Sequence, residues 1–433
     1  MIINFSAKNF GSIKEKQTLS FEASKSKHLE KHFISELPNG MRLLKLALIY
    51  GSNASGKTMV INALNFLRDL VLEPVEKKTD VLEFEPFLFD NKTPSQNSNL
   101  SIEFVNKGIK YSYEVEFSKT SIVNEKLDYF NPKKANIYTR FTDISKQLTK
   151  ITFGSKVKTD KTFVKTLESN TLWNNTVLGG FLKTNIELKE LKEVTDWFNN
   201  YLKPPVYPET RLMGFVTTEI EKLKIHKLDV INILRKADFN ISEIRFQENE
   251  EDVPEGFLEF IEKQIKSPND EVDEIRKTKK IKTVNIDIGH KINDNNYYLP
   301  LYEESRGTQR YYDLAGLLVL LIKDSVVIPI DELEASLHPE LYQHYLLSFI
   351  MNSKNSQLIA TTHNREILDN KDIFRDDTIW ITNKNDSCST ELYSLADFDS
   401  SVIRDTTNRL NAYKSGKLGG VPNLGDYYIE LEK

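Results

Sequence analysis

The run GSNASGKT, residues Gly51–Thr58, stands between the nearly continuous apolar stretch LLKLALIY, residues 43–50, and the periodic segment MVINALNFLRDLVL, residues 59–72. The first stretch has the composition of a strand covered on both faces. In the second, Ile61, Leu64, Leu67 and Val71 recur at helical spacing, and Pro74 ends the pattern. Strand, glycine-rich turn and helix, in that order, are the setting in which G-x-x-x-x-G-K-[ST] cradles phosphate. Gly51 and Gly56 let the backbone turn so that N–H groups along Ser52, Asn53, Ala54 and Ser55 face an anion, reinforced by the positive end of the helix. Lys57 sets a cation beside the outer phosphates, and the Thr58 hydroxyl is a ligand for Mg2+. A Gly/Ser turn that merely happens to carry Lys and Thr is the bland alternative, and the flanking elements disfavour it.

With 433 residues the chain is long enough for two or three domains. Lys plus Arg number 58 against 63 Asp plus Glu, a net charge of −5, so the chain as a whole is no polycation for coating nucleic acid. The single cysteine, Cys388, excludes an internal disulfide and a Cys-rich zinc site and fits a reducing cytoplasm. The opening MIINFSAKNF lacks an export signal, and the longest apolar run, Leu314–Ile322, is roughly half of the ~20 residues a bilayer span needs. The expected protein is cytoplasmic and has no membrane contact.

Alternating residues predict strands in IINFSAKNF and QTLSFEA. A hairpin is predicted around Asn106-Lys107-Gly108, with Ile102, Phe104, Tyr111, Tyr113, Val115 and Phe117 on one face, and another strand over IVNEKLDYF, residues 122–130. From about Asp160 to Asp270 the period becomes helical, in NIELKELKEVTDWFNNYL, TTEIEKLKIHKLDVINILRKAD and EGFLEFIEKQIK, with loops expected at KPPVYPET and NEEDVPEG. Strands resume with KTVNIDIGH and NNYYLPLYEE. The basic cluster RKTKKIK, Arg276–Lys282, reads more readily as a solvated strand end than as a nucleic-acid contact.

A phosphate loop needs an acidic partner for its metal, and VVIPIDELEASLHPEL, residues 326–341, supplies one at the end of an apolar strand. Asp331 is expected to hold Mg2+ and Glu332 to act as general base toward water. A charge pair opening a helix is the plainer reading of the same two acids. A further apolar strand, SQLIATTHN, ends at His363, which can donate to a terminal phosphate without carrying fixed charge. In EESRGTQRYYDLAGLLVLLI, residues 303–322, Ser305, Gly307 and Thr308 precede a helix with Leu314, Leu317, Leu318 and Leu321 on one face. Its N-terminus is a second anion site, or else a simple helix cap.

Taken in order, GSNASGKT, ESRGTQR, IDELEASLHP and ATTHN resemble the ABC-type ATPase heads of the SMC, RecF and OLD group. With the opening INFSAKNFGSIKEK and the tail LNAYKSGKLGGVPNL, the chain looks like bacterial AAA-type ATPases of the RloA/AbiL abortive-infection kind. The resemblance implies an α/β fold: an ABC-type P-loop head with a mixed sheet and an antiparallel β subdomain, interrupted by a helical insertion. Its expected parts are residues 1–155, the insertion 156–275, and residues 276–433, which carry the later motifs. It implies ATP and Mg2+ as cofactors, catalysis by Glu332 and His363, metal binding by Thr58 and Asp331, and a homodimer or higher oligomer with ATP at the subunit interface. Ser305, Arg306, Gly307, Thr308 and Gln309 match the signature that reaches the opposing subunit's nucleotide, and Ser336, Leu337 and His338 the loop contacting the partner's site. The signature departs from the Leu-Ser-Gly-Gly-Gln core of transporters, and no glutamine loop stands out, Gln147 lying in the uninformative context ISKQLTK.

No TOPRIM-like acidic cluster follows His363, and Asp376 and Asp377 read as a turn before the strand TIWIT. The expected function is therefore an ATP-hydrolysing sensor and switch in anti-phage defence. It would sense DNA or a phage protein and control a companion effector, a nuclease, TOPRIM-type protein or toxin. The alternative is a RecF- or SMC-like DNA-binding ATPase of repair or maintenance. A small-molecule kinase leaves the second anion site unexplained.

Overall fold

The structure, a computed structural model, describes residues 1–253, 275, 277–370, 372–398, 408–422, 425, 426 and 428. It divides into two compact units, one of Met1–Thr210, Leu321–Ala335 and Tyr342–Lys433, the other of Arg211–Leu320 and Ser336–Leu341.

In the first unit, β1 (Ile2–Lys8), β2 (Gln17–Ser20), β6 (Ser98–Asn106), β7 (Ile109–Phe117), β8 (Ile122–Phe130), β9 (Lys134–Asp143) and β10 (Leu148–Phe153) form a seven-stranded antiparallel sheet of order β10-β9-β8-β7-β6-β1-β2. Period-two alternation sends Leu100, Ile102 and Phe104 to the same buried face as Tyr111, Tyr113, Val115 and Phe117. The turn between β6 and β7 pairs Asn106 with Ile109, leaving Lys107 and Gly108 both at positive φ, as a two-residue hairpin loop demands. The β9–β10 hairpin is absent from the sequence prediction because its alternation is weak. Phe141 and Leu148 face solvent, and lysines and threonines fill much of the rest. A ribbon of β3 (Ile34–Glu36) and β4 (Arg42–Leu44) follows α1 (Glu30–Phe33).

The second sheet of this unit has the order β14-β15-β5-β16-β17, from β5 (Leu46–Tyr50), β14 (Val327–Ile330), β15 (Gln357–Thr361), β16 (Ile379–Lys384) and β17 (Thr390–Ser394). All neighbours are parallel except β16 and β17. Every residue of β5, β14 and β15 is buried, which explains their unbroken apolar sequences. The first helix after β5, α2 (Lys57–Leu72), buries Ile61, Leu64, Leu67 and Val71 as its spacing predicts. The expected class, α/β with a mixed sheet and an antiparallel β subdomain, is the one observed.

The helical segment is divided between the units: α3 (Lys161–Asn170), α4 (Val177–Leu182) and α5 (Lys189–Asn200) belong to the first, α6 (Met213–Glu221) and α7 (Lys227–Lys236) to the second. The predicted helix EGFLEFIEKQIK lies outside the described residues, as do Arg276 and residues 254–256 of NEEDVPEG. The helical period of TTEIEKLKIHKLDVINILRKAD belongs to α6 and α7, parted at Leu223, which is exposed and left-handed. Two readings need correction. KPPVYPET begins as extended chain alongside β14, not as a free loop: Val206 bridges Ile330 in parallel, and Lys203 N–H donates to Val327 O at 2.9 Å. Asn249–Asp252 complete β11 (Glu243–Asp252), which pairs with β12 (Lys280–Ile292), itself paired with β13 (Asn295–Pro300). In the second unit, α8 (Arg306–Lys323) has its Gly316 against Val216 of α6, where a Cβ would come within 2.4 Å of Val216 Cγ2. Helix α9 (Pro339–Asn352) buries Tyr345, Leu346, Phe349 and Ile350. Among the described residues, no helix is long and apolar enough to cross a membrane.

A buried polar cluster joins the antiparallel sheet to α4. Glu125 accepts from Tyr113 Oη at 2.9 Å, Tyr138 Oη at 2.5 Å and the Val177 N–H at 2.8 Å. Burial pushes its carboxyl up, opposed by the nearby Arg140 guanidinium, which burial in turn draws down to about 10. Removing the cation leaves an uncompensated buried charge, so Arg140→Met should cost about 3–5 kcal/mol. An acid with a raised folded-state pKa binds its proton more tightly when folded, so stability falls as pH rises through that range. The thermal stability of Arg140→Met should therefore be reduced most at pH 8 and recover toward pH 5, and a pH-independent loss would remove Glu125 as its cause.

Candidate functional site

Parallel register brings the candidate residues to one edge of the core sheet. Ile330 pairs with Ala360, and Thr361 with Ile49, so Asp331, Thr362 and Tyr50 leave adjacent strands together, with the phosphate loop next in the chain. The carboxyl ends of parallel strands are where α/β sheets bind ligands.

Asp331 is held at both oxygens. The Thr58 hydroxyl donates to Oδ2 at 2.9 Å, and the Thr361 hydroxyl donates to Oδ1. Thr361 Oγ1 also accepts the Glu332 N–H at 2.8 Å, and the Asp331 N–H donates to Val206 O at 2.8 Å. Lys57 Nζ, almost wholly buried, donates to Gly51 O at 3.0 Å and Ser52 O at 3.1 Å. Burial lowers its pKa against the pull of Asp331, Glu332 and Glu334. Glu332 has left-handed backbone, and its Oε1 lies 3.8 Å from His363 Nε2. The His363 N–H donates to Glu334, a carboxylate the sequence reading passed over. Burial first, then the Lys57 charge, depress the His363 imidazole, while Glu334, Glu332 and Asp331 oppose them. A neutral ring is the form favoured near pH 7.

The loop itself is gripped from β16 and β17. Thr382 donates to Tyr50 O at 3.1 Å and stands 2.7 Å from Ser55 Oγ, while Thr390 donates to Ser55 O at 2.9 Å. A Cβ on Gly51 would fall 2.3 Å from Thr382 Oγ1, and one on Gly56, at φ 106°, 2.1 Å from Thr390 Oγ1. Glycine is required at both places for close approach. Ala54 is left-handed, while Asn53 and Ala54 are exposed at the loop's tip. On the other flank, Tyr207 Oη donates to Asn62 Oδ1 at 2.9 Å, one helical turn beyond Thr58. Burial, then the Asp331 and Asp69 charges, raise its phenol.

The signature residues belong to the second unit. Ser305 Oγ accepts the Thr308 N–H at 3.1 Å and lies 2.8 Å from Thr308 Oγ1, so the serine does cap α8. Gln309 donates to Glu304 O at 2.8 Å, and Glu304 Oε1 is 2.6 Å from His290 Nε2. Arg306 is exposed, and Gly307 faces Ser336 O, which a Cβ would approach to 3.2 Å. Gln147 sits in the β9–β10 turn, lining a cleft with Lys78, Lys165 and Glu168 that no residue of Gly51–Thr58 lines.

Among the described residues, no group of three or more His, Cys, Asp or Glu is arranged to hold a metal alone. Thr58 and Asp331 are two oxygen donors already facing one another. That set fits Mg2+, which keeps waters and takes its remaining ligands from phosphates.

A P-loop on β5, an acidic strand end on β14 and a strand inserted between them define an α/β P-loop ATPase fold of the ABC-head type. A profile of the family described as "AAA domain, putative AbiEii toxin, Type IV TA system" matches residues 46–161 and 163–369, and the chain belongs to this family. No curated protein matches the chain in sequence. Among solved structures, it is similar to an SMC head bound to the C-winged helix domain of ScpA at 14% identity, covering 91% of this chain and 97% of that one, with a TM-score of 0.40. The SMC head domain from Thermotoga maritima shares 12% identity over 91% of this chain and 98% of its own, at 0.39. An Smc head with an extended coiled coil, bound to the C-terminal domain of ScpA derived from Pyrococcus furiosus, shares 13% over 91% and 96%, at 0.40.

Because Lys57 holds the His363 imidazole down, Lys57→Met should raise the His363 titration midpoint, read from its imidazole NMR signals. An unmoved midpoint would show that the two side chains do not interact.

Proposed function

We propose that the protein is a Mg2+-dependent ATPase whose nucleotide cycle switches a companion effector in defence against phage. The observation that carries the enzymatic part is Asp331, fixed between Thr58 and Thr361 beside Lys57, Glu332 and His363. Lys57 exchanges its two backbone carbonyls for phosphate oxygens, and loop N–H groups from Gly51 to Thr58 take the remaining charge. Bound Mg2+, held by Thr58 and Asp331, would supply charge neutralisation at the phosphates. Glu332, half exposed and carried outward by its left-handed backbone, accepts a proton from the attacking water. Neutral His363 donates to the terminal phosphate, with Glu334 fixing its backbone.

The effector role is supported by the family to which the chain belongs, whose description joins an AAA domain to a toxin system. The signature at Ser305–Gln309, opening α8, is assigned to the opposing subunit's nucleotide in a homodimer. DNA or a phage protein is the proposed trigger.

Lys57→Ala should abolish binding of a fluorescent ATP analogue. Glu332→Gln should bind normally but hydrolyse ~10²–10⁴-fold more slowly, the usual loss with a general base. Equal turnover in Glu332→Gln and the parent would remove Glu332 from the chemistry. Ser305→Arg should lose ~10²–10³ in rate with its own phosphate loop intact. Mixing it with Lys57→Ala should restore activity, since one site of each mixed dimer keeps both residues. Mixed dimers that form without recovering activity would contradict catalysis across the interface.

A further inference from the structure

We propose that residues 409–420 are the outer support of the phosphate loop and bind it to the chain just past His363, so that docking of this segment and nucleotide binding reinforce each other. The inference rests on reading Gly51–Thr58 as the nucleotide site.

The segment begins with α10 (Arg409–Lys414), whose N-cap Asn408 accepts the Asn411 N–H at 2.8 Å. Beyond it, Gly416, Gly419 and Gly420 all have left-handed φ, turning the chain back on itself toward the core sheet. Ala412, Tyr413 and Leu418 are buried. Two anchors define what it touches. Tyr413 stands edge-on to Tyr50, the last residue of β5, with ring centroids 6.2 Å apart. Its hydroxyl donates to Gly420 O at 2.8 Å, and the Arg365 guanidinium lies 5.8 Å from its ring, two residues past His363. The second anchor is Gly420, whose N–H donates to Asn383 Oδ1 at 3.1 Å. A Cβ at Gly420 would lie 2.7 Å from Ile381 Cγ2, 3.2 Å from Thr382 O and 3.4 Å from Gly51 Cα. The Tyr393 hydroxyl secures the approach by donating to Leu418 O at 2.8 Å.

Gly51 thus lies between Thr382, whose Oγ1 a Cβ on Gly51 would approach to 2.3 Å, and Gly420, where an added Cβ would come within 3.4 Å of Gly51 Cα. The segment therefore limits the room left to the first residue of the phosphate loop. A loop held ready in its working shape binds more tightly because less ordering remains to be done on binding. Linkage makes the effect mutual: whatever loosens residues 409–420 weakens nucleotide binding, and nucleotide holds the segment down by the same factor. Tyr413 and Gly420 are positioning residues, since neither is placed against the phosphates.

Gly420→Val adds a branched side chain at a left-handed position already filled by Ile381 and Thr382, and should release the segment. The affinity for a fluorescent ATP analogue with Mg2+ should fall on the order of tenfold, the size of ordinary coupling between sites. Tyr413→Phe keeps the ring and removes only the bond to Gly420, so its loss should be smaller and its unfolding temperature close to the parent's. Amide exchange gives a readout on the unmodified protein: Mg2+ and ATP should slow exchange across 409–420 in the parent but not in Lys57→Ala. Unchanged exchange in a parent that binds ATP, or full affinity in Gly420→Val with the segment released, would overturn the proposal. If parent and Lys57→Ala alike fail to bind the analogue, the reading of the phosphate loop itself fails and this coupling falls with it.

Discussion

The carboxylate of Asp331, gripped by one hydroxyl from the first turn of α2 and another from the end of β15, is the contact on which the site depends. A buried anion needs donors at each oxygen, and here both come from neutral threonines. The neighbouring cation, Lys57, is turned toward backbone carbonyls of its own loop. Three consecutive strands must therefore be in correct register for one side chain to be satisfied. A slip of one residue between β14 and β15 would move Thr361 away from the carboxylate and turn alternate side chains to the opposite face. Extended chain beside β14 completes the arrangement, because Val206 accepts the Asp331 N–H.

The elements legible in sequence were those whose burial is uniform or strictly periodic. The strands β5, β14 and β15 are buried throughout and read as apolar runs, and α2 shows one apolar stripe. The chain beside β14 was hidden because Pro204 and Pro205 suggest a loop; yet prolines are tolerated at a sheet edge, where an N–H would otherwise face outward. The helical period over residues 217–238 does not disclose the break at Leu223, an ordinary residue in a conformation that composition does not announce.

The motif residues could be found from their spacing, but the residues that support them could not. Thr382 and Thr390 lie more than 300 residues from the loop they hold, at positions where threonine is simply a good strand former. Glu334 is one more acid in an acidic run, and only the fold turns it toward the His363 backbone. Of the two readings of Ser305, the fold displays the helix cap, its hydroxyl accepting the Thr308 N–H within its own chain. A cap is a local property that sequence can suggest, whereas reach toward another subunit is not.

Glu332 is neither glycine nor asparagine, yet its backbone has φ of 47°. For an L-residue with a Cβ, that conformation typically costs about 1–2 kcal/mol. It falls directly after Asp331, whose side chain is buried, and leaves the Glu332 carboxylate half exposed, 3.8 Å from His363 Nε2. Selection for thermal robustness alone would favour glycine here, gaining conformational ease and losing the carboxylate. With Glu332 as the proposed general base, position 332 is a place where durability and turnover would pull the sequence in opposite directions.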